Sequence, residues 1–208
     1  KKESVQHTIL FPRNVDVGQH NRQKLESLSR DDAQIYKARD ISAKNRFFLL
    51  KDLKAPEVLE LRVGAQVMLL KNRDQRTGLI NGARGVVTAF AEEGREKYPV
   101  VEFSLSVAGK ESKLTEVIDR SDFDIMQGDE TLASRSQLPL MLAWAITVHK
   151  SQGLTIRELD LTFANMFEYG QGYVALSRAV DLEGLRLRKF DPTAVKANYR
   201  VTEFYQQL

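Results

Sequence analysis

A chain of 208 residues, 42% hydrophobic and 28% charged, has the composition of an ordinary globular protein and is long enough for one sizeable domain or two small ones. The absence of cysteine excludes disulfides and thiolate metal sites, and His7, His20 and His149 show no metal-ligand spacing. No apolar run reaches the length of a membrane span, and KKESVQHTIL lacks the apolar stretch of a secretory signal. The net charge of +3 permits a polyanionic partner without requiring one, so the placement of the basic residues says more than their total.

His7 to Phe11 reads as a short strand, followed by the turn Pro12, Arg13, Asn14 and a helix over Val15 to Leu28 that Asn14 or Asp16 can cap. Strand, polar turn and helix form the α/β unit whose turn usually carries ligand contacts, although a plain connecting turn has the same pattern. Ser29 to Ala55 is polar and mixed, with a strand at about Gln34 to Ala38, and Lys51 to Pro56 reads as a boundary. From Leu61 the character changes. Val63 to Leu70 suits a buried strand; Lys71 to Asn81 is a loop; Asn81-Gly82 is a tight-turn signal; Gly85 to Phe90, Val100 to Phe103 and Leu114 to Ile118 are further β-rich runs. Closely spaced short strands predict a small β-barrel over 61–135, inserted between two parts of an α/β domain at 1–60 and 136–208. Lys71, Arg73, Arg76 and Arg84 give this insertion a basic loop that either grips phosphates or is simply solvated. Asp119 to Ser136 is polar and returns the chain to the parent domain.

Leu138 to Thr155, LPLMLAWAITVHKSQGLT, is the central stretch. Its first half is almost wholly apolar; its second half collects Thr147, His149, Lys150, Ser151 and Gln152 before Gly153. Leu142, Ala145, Ile146 and His149 fall at three- and four-residue steps, which predicts a buried helix ending in a polar tip, with Gly153 taking the left-handed conformation just beyond it. The tip either presents donors to a ligand or is a wet helix end. Glu158 to Phe163 alternates as a strand, Tyr169 to Ala179 as a helix, and Gly184 to Phe190 as a last strand. A closing helix after Pro192 is expected to pack Val195, Tyr199 and Phe204 inward. Strand and helix patterns interleaved in this way argue for a mostly parallel sheet covered by helices.

No G-x-x-x-x-G-K-[ST] loop occurs in the chain, no Ser-His-Asp or Cys-His set stands out, and no strand ends in paired acids suited to magnesium. What remains is Arg178 on a helix, in ALSRA. A guanidinium held by its helix can stabilise charge on a transferring phosphoryl group; an ordinary surface arginine has the same sequence signature.

Taken together the segments resemble the second RecA-like domain of a superfamily-one helicase, and within that group the PIF (petite integration frequency) family of DNA helicases, related to RecD. LPLMLAWAITVHKSQGLT resembles that family's motif V, YVALSRA its motif VI, and TILFPRN with VDVGQHNRQKL its motif IV; APEVLELRVGAQVMLLKN and GLINGARGVV resemble the lead-in and body of an inserted SH3-like barrel. The resemblance implies an α/β, RecA-like fold interrupted by that barrel, and a motor in which two RecA-like domains close on ATP and magnesium to step five-prime to three-prime along single-stranded DNA. Arg178 would then be the finger on the γ-phosphate, with Gln171 and Gly153 on the nucleotide side. Pro12, Arg13, Asn14, Thr147, His149, Lys150, Ser151 and Gln152 would lie along the strand or couple it to the cleft, and the barrel loop with Lys71, Arg73, Arg76 and Arg84 would touch DNA. The implied partners are single-stranded, forked or structured DNA and the family's first RecA-like domain, not a membrane. That domain, which carries the phosphate loop and holds most of the ATP and magnesium, is not among these 208 residues, so the chain by itself is expected to be inactive. The family implies nucleus or mitochondrion in a eukaryote and cytoplasm in a bacterium. A DNA-binding or interaction module that keeps a degenerate helicase fold is the alternative.

Overall fold

The computed structural model describes residues 5–94, 96–107, 110–163 and 166–207. In chain order, strand β1 (Thr8–Phe11) leads into helix α1 (Asn14–Glu26). Then come β2 (Gln34–Lys37), β3 (Arg39–Ser42), β4 (Val58–Leu61), β5 (Gln66–Leu69), β6 (Arg84–Glu93), β7 (Glu96–Val107), β8 (Lys110–Val117), β9 (Ser121–Gln127) and β10 (Glu130–Gln137). Strands β11 (Leu140–Leu142), β12 (Ala145–Thr147) and β13 (Leu159–Thr162), helix α2 (Gln171–Leu176), strand β14 (Leu185–Lys189) and helix α3 (Tyr199–Gln206) complete it. Residues 24–143 form one compact unit, and 6–23 together with 144–208 form another. Among the described residues no helix is long and apolar enough to cross a membrane.

The second unit is built on a four-stranded sheet in the order β12-β1-β13-β14, with all three pairings parallel. Strands covered on both faces read as near-continuous apolar runs, which is why TILF and AIT lack polar alternation. Leu10, Ile146 and Leu161 are completely buried, each contributing about 2 kcal/mol of apolar burial. Asp160 interrupts the pattern in β13, and its Oδ2 takes Arg188 of β14 at 2.8 Å to Nε and 2.6 Å to a terminal nitrogen. The edge strand β12 is bracketed by helix α1. Asn21 Nδ2 donates to the Ala145 carbonyl at 2.9 Å, and the Ala145 N–H donates back to Asn21 Oδ1 at 2.8 Å. One carboxamide thus satisfies two backbone groups that an edge would otherwise leave unpaired.

The first unit is antiparallel. A five-stranded sheet runs in the order β11-β5-β6-β7-β8, a three-stranded one β3-β10-β9, and β2 pairs with β4. Gly85 is required where β6 meets β7, because a Cβ there would stand 2.7 Å from the Glu102 carbonyl oxygen. The buried Arg135 binds both carboxylate oxygens of Asp40, at 2.8 and 2.7 Å, and the Ala55 carbonyl at 3.0 Å.

Three expectations need correction. The stretch 138–153 is not a helix: it forms the two short strands β11 and β12 and then turns. A fully buried strand and a buried helix segment have the same apolar run, and only their neighbours separate them; here β5 and β1 supply ladder partners. Residues 121–137 are not merely a polar return but the hairpin β9–β10, whose turn includes Gly128 at φ 59°. The closing helix exists as α3, but Val195 before it and Tyr199 and Phe204 within it are exposed rather than packed inward.

Candidate functional site

In an open parallel sheet, ligands bind beyond the carboxyl ends of the strands. Here the ends of β1 and β12 lie side by side, because the Val148 N–H donates to the Phe11 carbonyl at 3.1 Å. The turns Pro12-Arg13-Asn14 and Val148 to Gly153 therefore leave the sheet together. Pro12 is buried and anchors the first turn, whereas Arg13 and Asn14 are exposed.

The second turn is organised by its own side chains. Thr147 Oγ1 accepts the Lys150 N–H at 3.2 Å, the Ser151 N–H donates to the Thr147 carbonyl at 3.0 Å, and the Ser151 hydroxyl donates to the Val148 carbonyl at 2.6 Å. Gly153 follows in the left-handed region at φ 77°. Thr147 and Ser151 are thus buried and spent on building the turn, as Ser and Thr side chains commonly are. His149 and Gln152 are exposed and Lys150 half-buried.

Beyond β13, the segment from Met166 to Gly170 closes on the same turns. Arg13 stacks over the Phe167 ring with 5.9 Å to its centroid, and His149 Nε2 lies 2.7 Å from Glu168 Oε2. Gln171 opens α2. It is only 3% exposed, and its Oε1 accepts the Phe167 N–H at 3.1 Å. Its burial makes it a clamp on the loop before α2, with Nε2 left without a described partner. Glycine is needed beside it: a Cβ on Gly172 would come within 2.9 Å of the Phe163 ring.

Arg178 follows α2 and is half-buried. Its Nε donates to the Val174 carbonyl at 3.1 Å, one terminal nitrogen to the Leu154 carbonyl at 3.3 Å and the other to Ser177 Oγ at 2.8 Å. Every one of these acceptors is uncharged. The guanidinium is oriented while its charge stays uncompensated by any carboxylate among the described residues.

The basic loop of the antiparallel unit is arranged differently. Asp74 Oδ1 accepts the Arg76 N–H at 2.9 Å, and Arg76 Nε lies 3.5 Å from the same oxygen. That backbone bond, with the nearby guanidinium, holds the Asp74 carboxyl below the usual carboxylate range. Arg73 pairs with Asp119 at 2.6 Å. Lys71 donates to the Asp122 carbonyl and lies 4.7 Å from the centre of the Phe123 ring. Arg84 is only 9% exposed and so is not a surface cation. Glu168 and Asn21, which organise the strand-end turns, carry no signal in the sequence, since their partners lie 19 and 124 positions away.

A family model described as the 2B domain of the DNA helicase Pif1 matches residues 49–90. The ATP-dependent DNA helicase PIF1 of Xenopus laevis is 42% identical over the whole of this chain and 31% of its own length. Among solved structures, the Pif1 helicase from Candida albicans superposes with a TM-score of 0.82 at 33% identity, over all of this chain and 50% of that one. A Bacteroides Pif1 solved with ADP-AlF3 and single-stranded DNA gives 0.65 at 28%, over 100% and 46%. The mixed α/β fold with its parallel sheet is therefore the RecA-like type seen in these Pif1 structures. Over its full length the chain is similar to these PIF1 helicases, and it spans about a third of the Xenopus relative's length and half of the Candida structure.

Proposed function

We propose that these 208 residues are the C-terminal motor half of an ATP-dependent DNA helicase moving five-prime to three-prime, in which Arg178 acts as the arginine finger and the strand-end turns meet single-stranded DNA. The observation that carries this reading is the state of Arg178: fixed in direction by three uncharged oxygens, half-exposed, and facing no carboxylate among the described residues. A guanidinium held in this way stabilises charge that appears on a phosphoryl group in the transition state, without reorganising first. The solvent-facing Arg13, Asn14, His149, Lys150 and Gln152 suit backbone contacts that tolerate any sequence. The inserted SH3-like barrel of this reading is residues 61–135, and its basic loop is an auxiliary DNA contact.

Among the described residues no cluster of three or more His, Asp or Glu stands ready for a metal, and no phosphate loop occurs in the chain. The donors among the described residues therefore do not fit magnesium. Magnesium and most of ATP belong, on this reading, to the first RecA-like domain. The test is Arg178→Ala in the helicase assembled with that domain. ATP turnover should fall about a thousandfold or more, while single-stranded DNA affinity stays within about twofold; turnover near the wild-type rate removes the finger role. The absent phosphate loop favours a second reading, a DNA-binding module without catalysis. It would prevail if the assembled protein bound DNA and hydrolysed no ATP.

A further inference from the structure

Helix α2 is fastened to the polar turn after β12 at both of its ends. Before its first residue, Glu168 faces His149 at 2.7 Å. The loop bearing Glu168 is closed onto the helix by Gln171, through the Phe167 N–H and through its own N–H, which donates to the Glu168 carbonyl at 3.4 Å. Beyond its last residue, Arg178 donates to the Leu154 carbonyl, and the Ile156 N–H donates to the Arg178 carbonyl at 2.8 Å. Residues 149, 154 and 156 all belong to the stretch that leaves β12. A helix of six residues is about 9 Å long and moves as one piece, so the polar turn cannot shift without moving the arginine or breaking one of these fastenings.

The two fastenings differ in kind. The one at Arg178 uses backbone acceptors that no ligand removes. The one at Glu168 joins side chains that are 53% and 46% exposed. Such a pair adds little to stability and stands where a nucleic-acid phosphate would compete for the imidazole. We infer that Glu168 is a positioning residue, which transmits the state of the DNA-facing turn to Arg178 through His149 and helix α2. This rests on the functional reading above.

The test is hydrogen exchange of the 208-residue chain with and without an oligothymidine strand, on the wild type, Glu168→Met and Glu168→Gln. Methionine keeps the length of the side chain and removes the acceptor; glutamine keeps an acceptor. In the wild type and the glutamine variant, strand binding should change exchange at residues 171–178 at least threefold. In the methionine variant the change should stay confined to 147–154. A response in α2 that survives Glu168→Met, or is missing from the wild type, overturns the inference and leaves the DNA interface standing. Failure of the wild-type chain to bind the strand saturably overturns the DNA interface as well.

Discussion

The two cationic regions of this protein are alike in sequence and opposite in electrostatics. The loop from Lys71 to Arg84 has the higher density of basic residues, yet Arg73 and Arg76 sit against carboxylates, Lys71 is held by a carbonyl and an aromatic ring, and Arg84 is buried. In the parallel unit there are fewer cations, and they keep their charge: Arg178 is held by carbonyls and a hydroxyl, and Arg13 by an aromatic face. An anion approaching the first region must displace an internal partner, while one approaching the second need not. Binding capacity follows the charge left over after local pairing, not the number of Lys and Arg in a segment.

The largest effect is expected at Arg178. Besides the alanine variant, Arg178→Lys keeps the charge and loses the planar fork, and is expected to lower ATP turnover of the assembled helicase about a hundredfold or more. A steady-state ATPase assay at saturating DNA reads it, and a loss below tenfold would show that bare charge suffices. Next comes the neutralised side of the contrast. Arg135→Met leaves Asp40 without its bidentate partner; since Asp40 is partly exposed, water repays some of the loss. The expected cost is about 2 kcal/mol rather than the full value of a deeply buried pair, read as a lower urea midpoint with an unchanged slope.

The direct comparison of the two cationic regions is a pair of variants titrated with single-stranded DNA. Lys150→Ala should weaken binding about three- to tenfold and reduce the salt slope by about 0.7. Arg73→Ala, already committed to Asp119, should change affinity less than about twofold. Equal effects would show that local pairing does not decide which cations bind DNA.

The smallest effect concerns Glu96. The Tyr98 hydroxyl donates to its carboxylate at 3.0 Å, and together with Arg39 and Arg120 holds it below the usual carboxylate range. A carboxyl lowered in the folded state stabilises the fold at pH above its ordinary value, and that contribution disappears as pH falls through the lowered value. Glu96→Gln should therefore flatten the acid limb of the stability profile slightly and leave neutral pH almost unchanged, as followed by thermal melts at a series of pH values.

Much of this protein is legible in the order of its residues. The parallel α/β class, β1 and its following helix, strands β13 and β14 and the turn at Asn81-Gly82 follow from short-range periodicity and turn chemistry, which a chain carries locally, whereas the motifs are legible only as a resemblance. Arg178 stands out as the arginine left on a predicted helix once other motifs are excluded, and its finger role is what the resemblance implies. Which polar residues of those motifs face solvent depends on contacts made across the fold. Thr147, Ser151 and Gln171 turn inward to satisfy backbone groups, Arg84 is buried, and His149 finds Glu168. Such contacts also decide that the run ending in His149 is strand rather than helix, because a buried apolar segment has no periodicity of its own and takes its conformation from the partners that pair with it.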